Sequence, residues 1–207
     1  MTGGRSGIGA ALVTALERDS VEVQVLDLVD GFDVSDPDAW EAVGPVDLAC
    51  LNAGVGSTDE DLATYRRLLG VNVDGVVFGV QRLRQVMEPG GVIVVTASLA
   101  GLVPMARDPI YTLTKHAVVG YVRAVAPRLA EHGIRIKAVC PGFTDTPIVV
   151  PELRKWVAAQ GIPLMRPEQV AEAILHAARS RETGEVWAVQ PGREPVPYEF
   201  RGVPGPR

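Results

Sequence analysis

The stretch Thr2-Gly3-Gly4-Arg5-Ser6-Gly7-Ile8-Gly9 decides the fold of this 207-residue chain. It runs into a segment whose apolar residues, from Ile8 to Leu16, recur at the spacing of one helix face. Glycine adopts backbone angles closed to other residues and lets a phosphate approach the main chain. The free N–H groups and the positive end of a helix attract anions. The stretch therefore predicts a pyrophosphate-binding turn, formed by Gly3, Arg5, Ser6, Gly7, Ile8 and Gly9.

An acidic residue follows this turn at a distance typical of a dinucleotide site. Asp27 lies near the end of the apolar run 21–28, 18 residues after Gly9. A carboxylate in this place binds the hydroxyls of the adenosine ribose. It would also repel a 2′-phosphate, so the sequence favours NAD over NADP.

Short apolar runs alternate with segments of helical periodicity along the rest of the chain. Near-continuous apolar strands that alternate with helices predict a parallel sheet covered by helices on both faces. The predicted strands are residues 21–28, 46–52, 92–97, 134–140 and 185–189. Beyond the first helix, the predicted helices are residues 61–87, 110–132, 151–159 and 167–179. We expect one α/β domain over residues 1–190 and a proline-rich tail over residues 191–207.

Composition excludes several functional classes. The net charge of −5 provides no general attraction for nucleic acid or an anionic membrane. No apolar run reaches the roughly 18 residues of a membrane helix, and the N-terminus lacks the pattern of a secretion signal. Cys50 and Cys140 lie in apolar runs, which favours a reducing compartment, and we expect the cytoplasm. His116, His132 and His176 have no metal-ligand spacing, so no metal site is expected.

A tyrosine, a lysine and a serine form the predicted catalytic group. Tyr111 and Lys115 are four residues apart on a predicted helix, so they lie on the same side of it. A nearby ammonium lowers the pKa of a phenol from about 10 toward neutral pH, as a general acid/base for alcohol oxidation requires. Ser98 follows a predicted strand, where its hydroxyl can bind a substrate oxygen on which charge develops.

In this order and spacing, these motifs resemble those of the short-chain dehydrogenase/reductase family. Further matches are Asp33-Val34, Asn52-Ala53-Gly54, Asn72 in a long helix, and the segment Pro141-Gly142-Phe143-Thr144-Asp145-Thr146. The resemblance covers about residues 2–190. It implies a doubly wound Rossmann-type sheet and a small-molecule alcohol or ketone substrate.

The resemblance also implies individual roles. Asn72, Ser98, Tyr111 and Lys115 would be catalytic, with Lys115 also binding the nicotinamide ribose and Asn72 holding a water in a proton relay. Outside the glycine-rich turn, the implied cofactor-binding residues are Asp27, Leu28, Asp33, Val34, Asn52, Ala53, Gly54, Tyr111, Lys115, Pro141, Gly142, Thr144 and Thr146.

One feature departs from the family pattern. Family members usually carry an apolar strand directly before Thr-Gly, at the centre of the sheet, whereas this sequence has only Met1 there. We therefore expect the first central strand to be missing.

The leading functional hypothesis is an NAD-dependent oxidoreductase that interconverts a secondary alcohol and a ketone. Alternatives are a catalytically silent NAD-binding or scaffold protein, an NADPH-dependent carbonyl reductase, and a nucleotide-sugar epimerase. The segment 143–164 is expected to form a lid over the substrate. Its apolar residues either contact an apolar substrate or only pack the lid against the sheet. The long helices at 61–87 and 110–132 are apolar around much of their circumference, which predicts a homodimer or homotetramer.

Overall fold

Four parallel strands and one short antiparallel strand form the central sheet in a computed structural model that describes residues 1–202. They lie side by side in chain order: β1 Leu48–Leu51, β2 Val92–Thr96, β3 Arg135–Pro141, β4 Val186–Val189 and β5 Val196–Pro197. Strands β1 to β4 confirm four of the predicted runs, and every residue of β2 is buried. Because consecutive parallel strands need crossover connections, helices separate them.

Six α-helices connect and cover the strands. They are α1 Gly7–Arg18, α2 Leu62–Leu69, α3 Gly75–Val86, α4 Pro109–Ala130, α5 Pro151–Ala159 and α6 Pro167–Arg179. A π-helical turn at Gly70–Asp74 joins α2 to α3 within the predicted helix 61–87. Proline occupies the first turn of α4, α5 and α6. N–H groups in this turn have no intrahelical acceptor, so proline costs no helical hydrogen bond there.

Apolar side chains fill both faces of the sheet. Leu12 of α1 and Ile174 of α6 belong to the core on one face, and Leu83 of α3 and Val122 of α4 belong to the core on the other. This arrangement confirms the predicted α/β fold with helices on both faces.

The N-terminal residues partly occupy the position of the strand that we expected to be missing. The Thr2 amide donates to the carbonyl of Cys50 at 3.0 Å, and the Gly3 amide donates to the carbonyl of Leu26 at 2.9 Å. Met1 and Thr2 thus lie between β1 and Leu26, directly before the glycine-rich turn. The prediction of a regular strand at 21–28 is wrong. The segment beside it, Met1–Thr2, forms a single isolated β-bridge with it, between Thr2 and Leu26.

The C-terminal segment is more regular than the sequence suggested. Val196 and Pro197 pair with β4, and the Tyr198 amide donates to the carbonyl of Val186 at 2.7 Å. Proline is compatible with this place because β5 is an edge strand. Residues 203–207 of the predicted tail lie outside the described residues.

The long helices bury most of their apolar surface within the chain. Val76, Val118 and Val122 belong to the core, and Phe78 and Tyr121 are half-buried against it. Leu113, at 49% exposure, is the large apolar residue of α3 and α4 that stands out to solvent. Within residues 1–202, no helix has the length and apolar character needed to cross a membrane.

Candidate active site

The glycine-rich turn forms a cradle at the start of α1. Gly7 has a φ of +50°, which other residues rarely adopt. A Cβ at Gly9 would lie 1.9 Å from the carbonyl oxygen of Gly3, so no side chain fits there. The N-cap residue Ser6 makes no side-chain cap hydrogen bond, so its hydroxyl does not occupy the first amides of α1. These features fit the pyrophosphate of a dinucleotide.

Asp27 lies beside this cradle. Its carboxylate accepts a hydrogen bond from the Arg5 amide at 2.9 Å and one from the Val29 amide at 3.3 Å. A carboxylate has about four lone-pair positions, so it keeps acceptor capacity for the hydroxyls of a ribose.

Asp33 and Val34 are placed mainly by contacts within the protein. The Asp33 carboxylate accepts hydrogen bonds from the amide and the hydroxyl of Ser35. Val34 is buried in the core, and its carbonyl accepts a hydrogen bond from the Trp40 indole. Leu28, by contrast, is 70% exposed next to Asp27.

A cavity of about 830 Å³ extends from the glycine-rich turn to the predicted catalytic residues. Among the predicted site residues, its walls contain Gly3, Ser6, Gly7, Ile8, Asn52, Ala53, Gly54, Ser98, Tyr111, Lys115, Pro141, Gly142, Thr144 and Thr146. The predicted site residues outside these walls are Arg5, Gly9, Asp27, Leu28, Asp33, Val34 and Asn72. The structure therefore brings the turn and the Ser-Tyr-Lys group to one space.

A polar network joins the strand ends below this cavity. The Thr2 hydroxyl accepts the amides of Asn52 and Ala53 at 2.9 and 3.1 Å. The Asn52 side chain donates to the carbonyl of Gly3 at 3.2 Å and accepts from the Thr96 hydroxyl at 3.1 Å. Asn52 thus positions the glycine-rich turn relative to β2, a role that sequence spacing does not reveal.

Ser98, Tyr111 and Lys115 converge beyond the carboxyl end of β2. Ser98 and Tyr111 both line the cavity, and the Ser98 side chain is near enough to the Tyr111 hydroxyl to favour a lower pKa. Lys115 Nζ lies 5.5 Å from the centre of the Tyr111 ring. The Lys115 ammonium donates to the carbonyl of Thr96 at 3.1 Å. Because the tyrosine and lysine are one turn apart on α4, a single rigid helix fixes their relation to each other.

Burial controls the protonation of this group. Tyr111 is partly exposed as a whole residue, and burial raises the pKa of its hydroxyl to about 12, although the nearby Ser98 side chain opposes the shift. Burial lowers the pKa of Lys115 to about 8. The expectation that the pKa of Tyr111 falls toward neutral pH is wrong for this structure, because burial is the largest influence on that pKa. At neutral pH the Tyr111 hydroxyl is therefore protonated.

Asn72 lies in the π-helical turn Gly70–Asp74 and is 1% exposed. Its side-chain amide donates to the carbonyl of Val55 at 2.9 Å and to the Thr114 hydroxyl at 3.1 Å, and its oxygen accepts the Val55 amide at 2.9 Å. Asn72 therefore joins the loop after β1 to α4. Its part in a proton relay stays a prediction.

Sequence reasoning overlooked Asp108 and Thr114. Asp108 caps α4, accepts the Tyr111 amide at 2.9 Å, and lines the cavity. Burial raises its pKa. The dipeptide Asp108-Pro109 is a recognisable helix start and could have identified this residue. Thr114 carried no such signal, because its partner Asn72 is 42 residues away.

The outer wall of the cavity is mostly apolar. Trp156 of α5 stacks edge-on with Phe143, at 6.1 Å between ring centres, and the Arg107 guanidinium lies 5.6 Å from the Trp156 ring. A backbone bridge between Thr144 and Met165 closes the base of the predicted lid. The other apolar residues of the outer wall of the cavity are Val103, Met105, Ile148, Val149, Val150 and Leu153.

The two cysteines do not form a reactive site. Both are buried, and burial raises the pKa of each thiol to about 12. Within residues 1–202, no three His, Cys, Asp or Glu residues are grouped as metal ligands would be.

Comparisons with known proteins agree with this geometry. Residues 37–156 match the family model described as short chain dehydrogenase. Cis-4-hydroxycyclohexanecarboxylate dehydrogenase of Sinomonas cyclohexanicum is 32% identical over 228 residues, which cover 91% of this chain and 92% of that protein. The NAD(+) 15-hydroxyprostaglandin dehydrogenase of Mus musculus is 37% identical over 109 residues, or 51% of this chain and 40% of that protein.

A solved structure gives the same result for the fold. The crystal structure of a short-chain type dehydrogenase/reductase from Mycobacterium marinum superposes with a TM-score of 0.81 at 27% identity. The match covers 93% of both chains.

Proposed function

The chain belongs to the short-chain dehydrogenase family, and on that premise we propose that it interconverts a secondary alcohol and a ketone with NAD as the preferred cofactor. Its membership makes it an oxidoreductase that uses a nicotinamide cofactor. The preference for NAD and the role of Tyr111 are the new parts of the proposal.

The presence of Ser98, Tyr111 and Lys115 in the same cavity as the glycine-rich cradle carries the proposal. Bound NAD would supply the hydride acceptor, and its reduced form the hydride donor. Ser98 binds the substrate oxygen and positions it at the Tyr111 hydroxyl. Tyr111 donates its proton to that oxygen during reduction and takes it back during oxidation. Lys115 contributes a buried positive charge beneath the ring when it is protonated.

Two observations support NAD over NADP. Asp27 is fixed at the place where the adenosine ribose is expected, and its carboxylate would repel a 2′-phosphate. The Mus musculus relative is named for NAD(+). These observations favour NAD over the alternative of an NADPH-dependent carbonyl reductase.

The outer wall of the cavity supports a substrate with a large apolar body. Phe143, Leu153 and Trp156 lie on one side of the cavity, and Val103 and Met105 lie on the loop before α4. The names of two relatives, the Sinomonas enzyme and a 3beta-hydroxysteroid dehydrogenase from Eggerthella lenta, describe hydroxyl groups on carbon rings. We therefore propose a cyclic or otherwise bulky secondary alcohol.

The assembly proposed from the sequence is a homodimer or homotetramer through the long helices. Its support is the half-buried Phe78 and Tyr121 and the exposed Leu113. Light scattering that gives the mass of one 22.0 kDa chain at micromolar concentration would contradict it.

The test of function combines binding and turnover. NADH and NADPH are titrated while tryptophan fluorescence is recorded, and bulky cyclic alcohols are then screened with each oxidised cofactor. We expect tighter binding of NADH and NAD-dependent oxidation of at least one alcohol, which Tyr111→Phe abolishes. Stronger NADPH binding would contradict the cofactor preference. Binding of NADH without turnover of any alcohol in the panel would favour the alternative hypothesis of a catalytically silent NAD-binding protein.

A further inference from the structure

The glycine-rich turn carries a guanidinium that is already engaged by an acidic partner. Arg5 Nε donates to Asp30 Oδ2 at 2.7 Å, and the Arg5 amide donates to Asp27 Oδ2 at 2.9 Å. Asp30 ends the 3₁₀ turn Leu28–Asp30, which the Asp27 carboxylate caps. One arginine thus contacts both the carboxylate expected at the ribose and a second carboxylate three residues later.

Arginine is the side chain best suited to bind a phosphate, because its planar fork of N–H groups can donate two parallel hydrogen bonds. The Arg5 amide contacts Asp27, so the Arg5 guanidinium lies in the neighbourhood where a 2′-phosphate on the adenosine ribose is expected. The pair is partly open to solvent, with side-chain exposures of 55% for Arg5 and 41% for Asp30. It therefore contributes little to folding, and Asp30 is the anion that the guanidinium contacts in this structure.

Charge also matters at this end of the cradle. Arg5, Asp27 and Asp30 together carry one net negative charge, and a 2′-phosphate would add to it. Without Asp30, the group would be neutral and Arg5 would lack its carboxylate partner. A phosphate could then take the place of that partner.

We infer that Asp30 is a second determinant of cofactor specificity, which acts by holding Arg5 away from a 2′-phosphate. The inference rests on the proposed binding of NAD at this turn. It makes Asp30 a positioning residue for Arg5, separate from the direct repulsion by Asp27. The consequence is that removing Asp30 helps NADPH only while Arg5 is present.

The experiment measures dissociation constants for NADH and NADPH in four proteins: the wild type, Asp30→Asn, Arg5→Ala, and the double variant. We expect Asp30→Asn to tighten NADPH binding about 5- to 10-fold, the usual effect of one new charge-assisted hydrogen bond, here between Arg5 and the 2′-phosphate. NADH binding should change less than about 2-fold. In the double variant, this gain disappears. Asp38→Asn is the matched control, since it removes the same charge from an acidic residue of another 3₁₀ turn, Asp38–Ala42. It should leave both constants unchanged.

The outcomes separate this inference from the proposed function. A wild type that fails to bind NADH contradicts the proposed function. A wild type that binds NADH, with an Asp30→Asn variant that does not tighten NADPH binding, overturns the inference alone. A gain that persists without Arg5, or that Asp38→Asn reproduces, shows a general charge effect and also overturns it. Thermal melting of each variant verifies that it is folded.

Discussion

The candidate site has two ends that are built differently: the proposed catalytic end around Tyr111, and the proposed adenosine end around Asp27, beside the glycine-rich turn. At the catalytic end, Lys115 and Asn72 are almost fully buried, and each has hydrogen-bond partners supplied by the main chain or by α4. At the adenosine end, Arg5 and Asp30 are about half exposed and are held mainly by each other. The comparison shows where each kind of control is exercised. Burial shifts the pKa values of Tyr111 and Lys115 at the first end, whereas the charges at the second end are exposed, and we propose that they select between cofactors.

The catalytic end should respond most strongly to loss of its proton carrier. Tyr111→Phe keeps the ring but removes the hydroxyl that lies near Ser98. We expect turnover to fall about 10²- to 10⁴-fold, the usual contribution of a general acid or base, while NADH binding stays nearly unchanged. Steady-state kinetics and NADH titration verify the two parts. A variant with the full rate on a good substrate would place the proton donor elsewhere.

Lys115→Met should separate activity from stability at the same end. The pKa of Lys115 is lowered from 10.5 to about 8 in the folded protein, so keeping its ammonium buried costs up to about 3 kcal/mol at neutral pH. This cost is complete below about pH 8, decreases as the pH rises toward 10.5, and is absent above it. We expect the variant to lose turnover but to be more stable than the wild type at pH 7.

Urea unfolding at pH 7 and pH 10 tests this expectation. The stability advantage of Lys115→Met should be smaller at pH 10 than at pH 7. An advantage that is equal at both pH values would show that Lys115 is not destabilised by its charge. A variant less stable than the wild type at pH 7 would show that the Thr96 hydrogen bond outweighs burial.

The cradle that connects the two ends should be sensitive to one methyl group. A Cβ at Gly9 would collide with the carbonyl oxygen of Gly3, so Gly9→Ala must displace the turn. We expect a loss of about 1–3 kcal/mol in the free energy of unfolding and weaker NADH binding. Gly44→Ala is the matched control, because nothing lies within 4 Å of its Cβ position. Equal melting temperatures for the two variants would contradict the packing argument.

The adenosine end should show the smallest effect, confined to cofactor choice. Asp27→Asn removes the charge that opposes a 2′-phosphate but keeps a side chain of similar size. We expect the ratio of NADPH to NADH dissociation constants to move toward NADPH by about tenfold, with little change in the melting temperature. An unchanged ratio would mean that Asp27 does not face the ribose, and would also weaken the case for Asp30.

Much of the fold could be predicted because its signals are local. The apolar runs at 46–52, 92–97, 134–140 and 185–189 each form a strand, since buried parallel strands leave a nearly continuous apolar pattern. The run at 21–28 has the same pattern but no regular ladder, because its partner Met1–Thr2 supplies one bridge. A strand needs a neighbour as well as a suitable sequence.

The sequence by itself determined the four parallel strands β1 to β4 and the helices between them, the glycine-rich cradle, and the placement of Tyr111 and Lys115 on one side of a helix. Periodicity and spacing suffice for these features, because each depends on residues close together in the chain. The tertiary structure decided the protonation of Tyr111 and Lys115, the partners of Asn72, and the pairing of Arg5 with Asp30. These depend on burial and on contacts between residues distant in sequence, and only the folded chain brings those groups together.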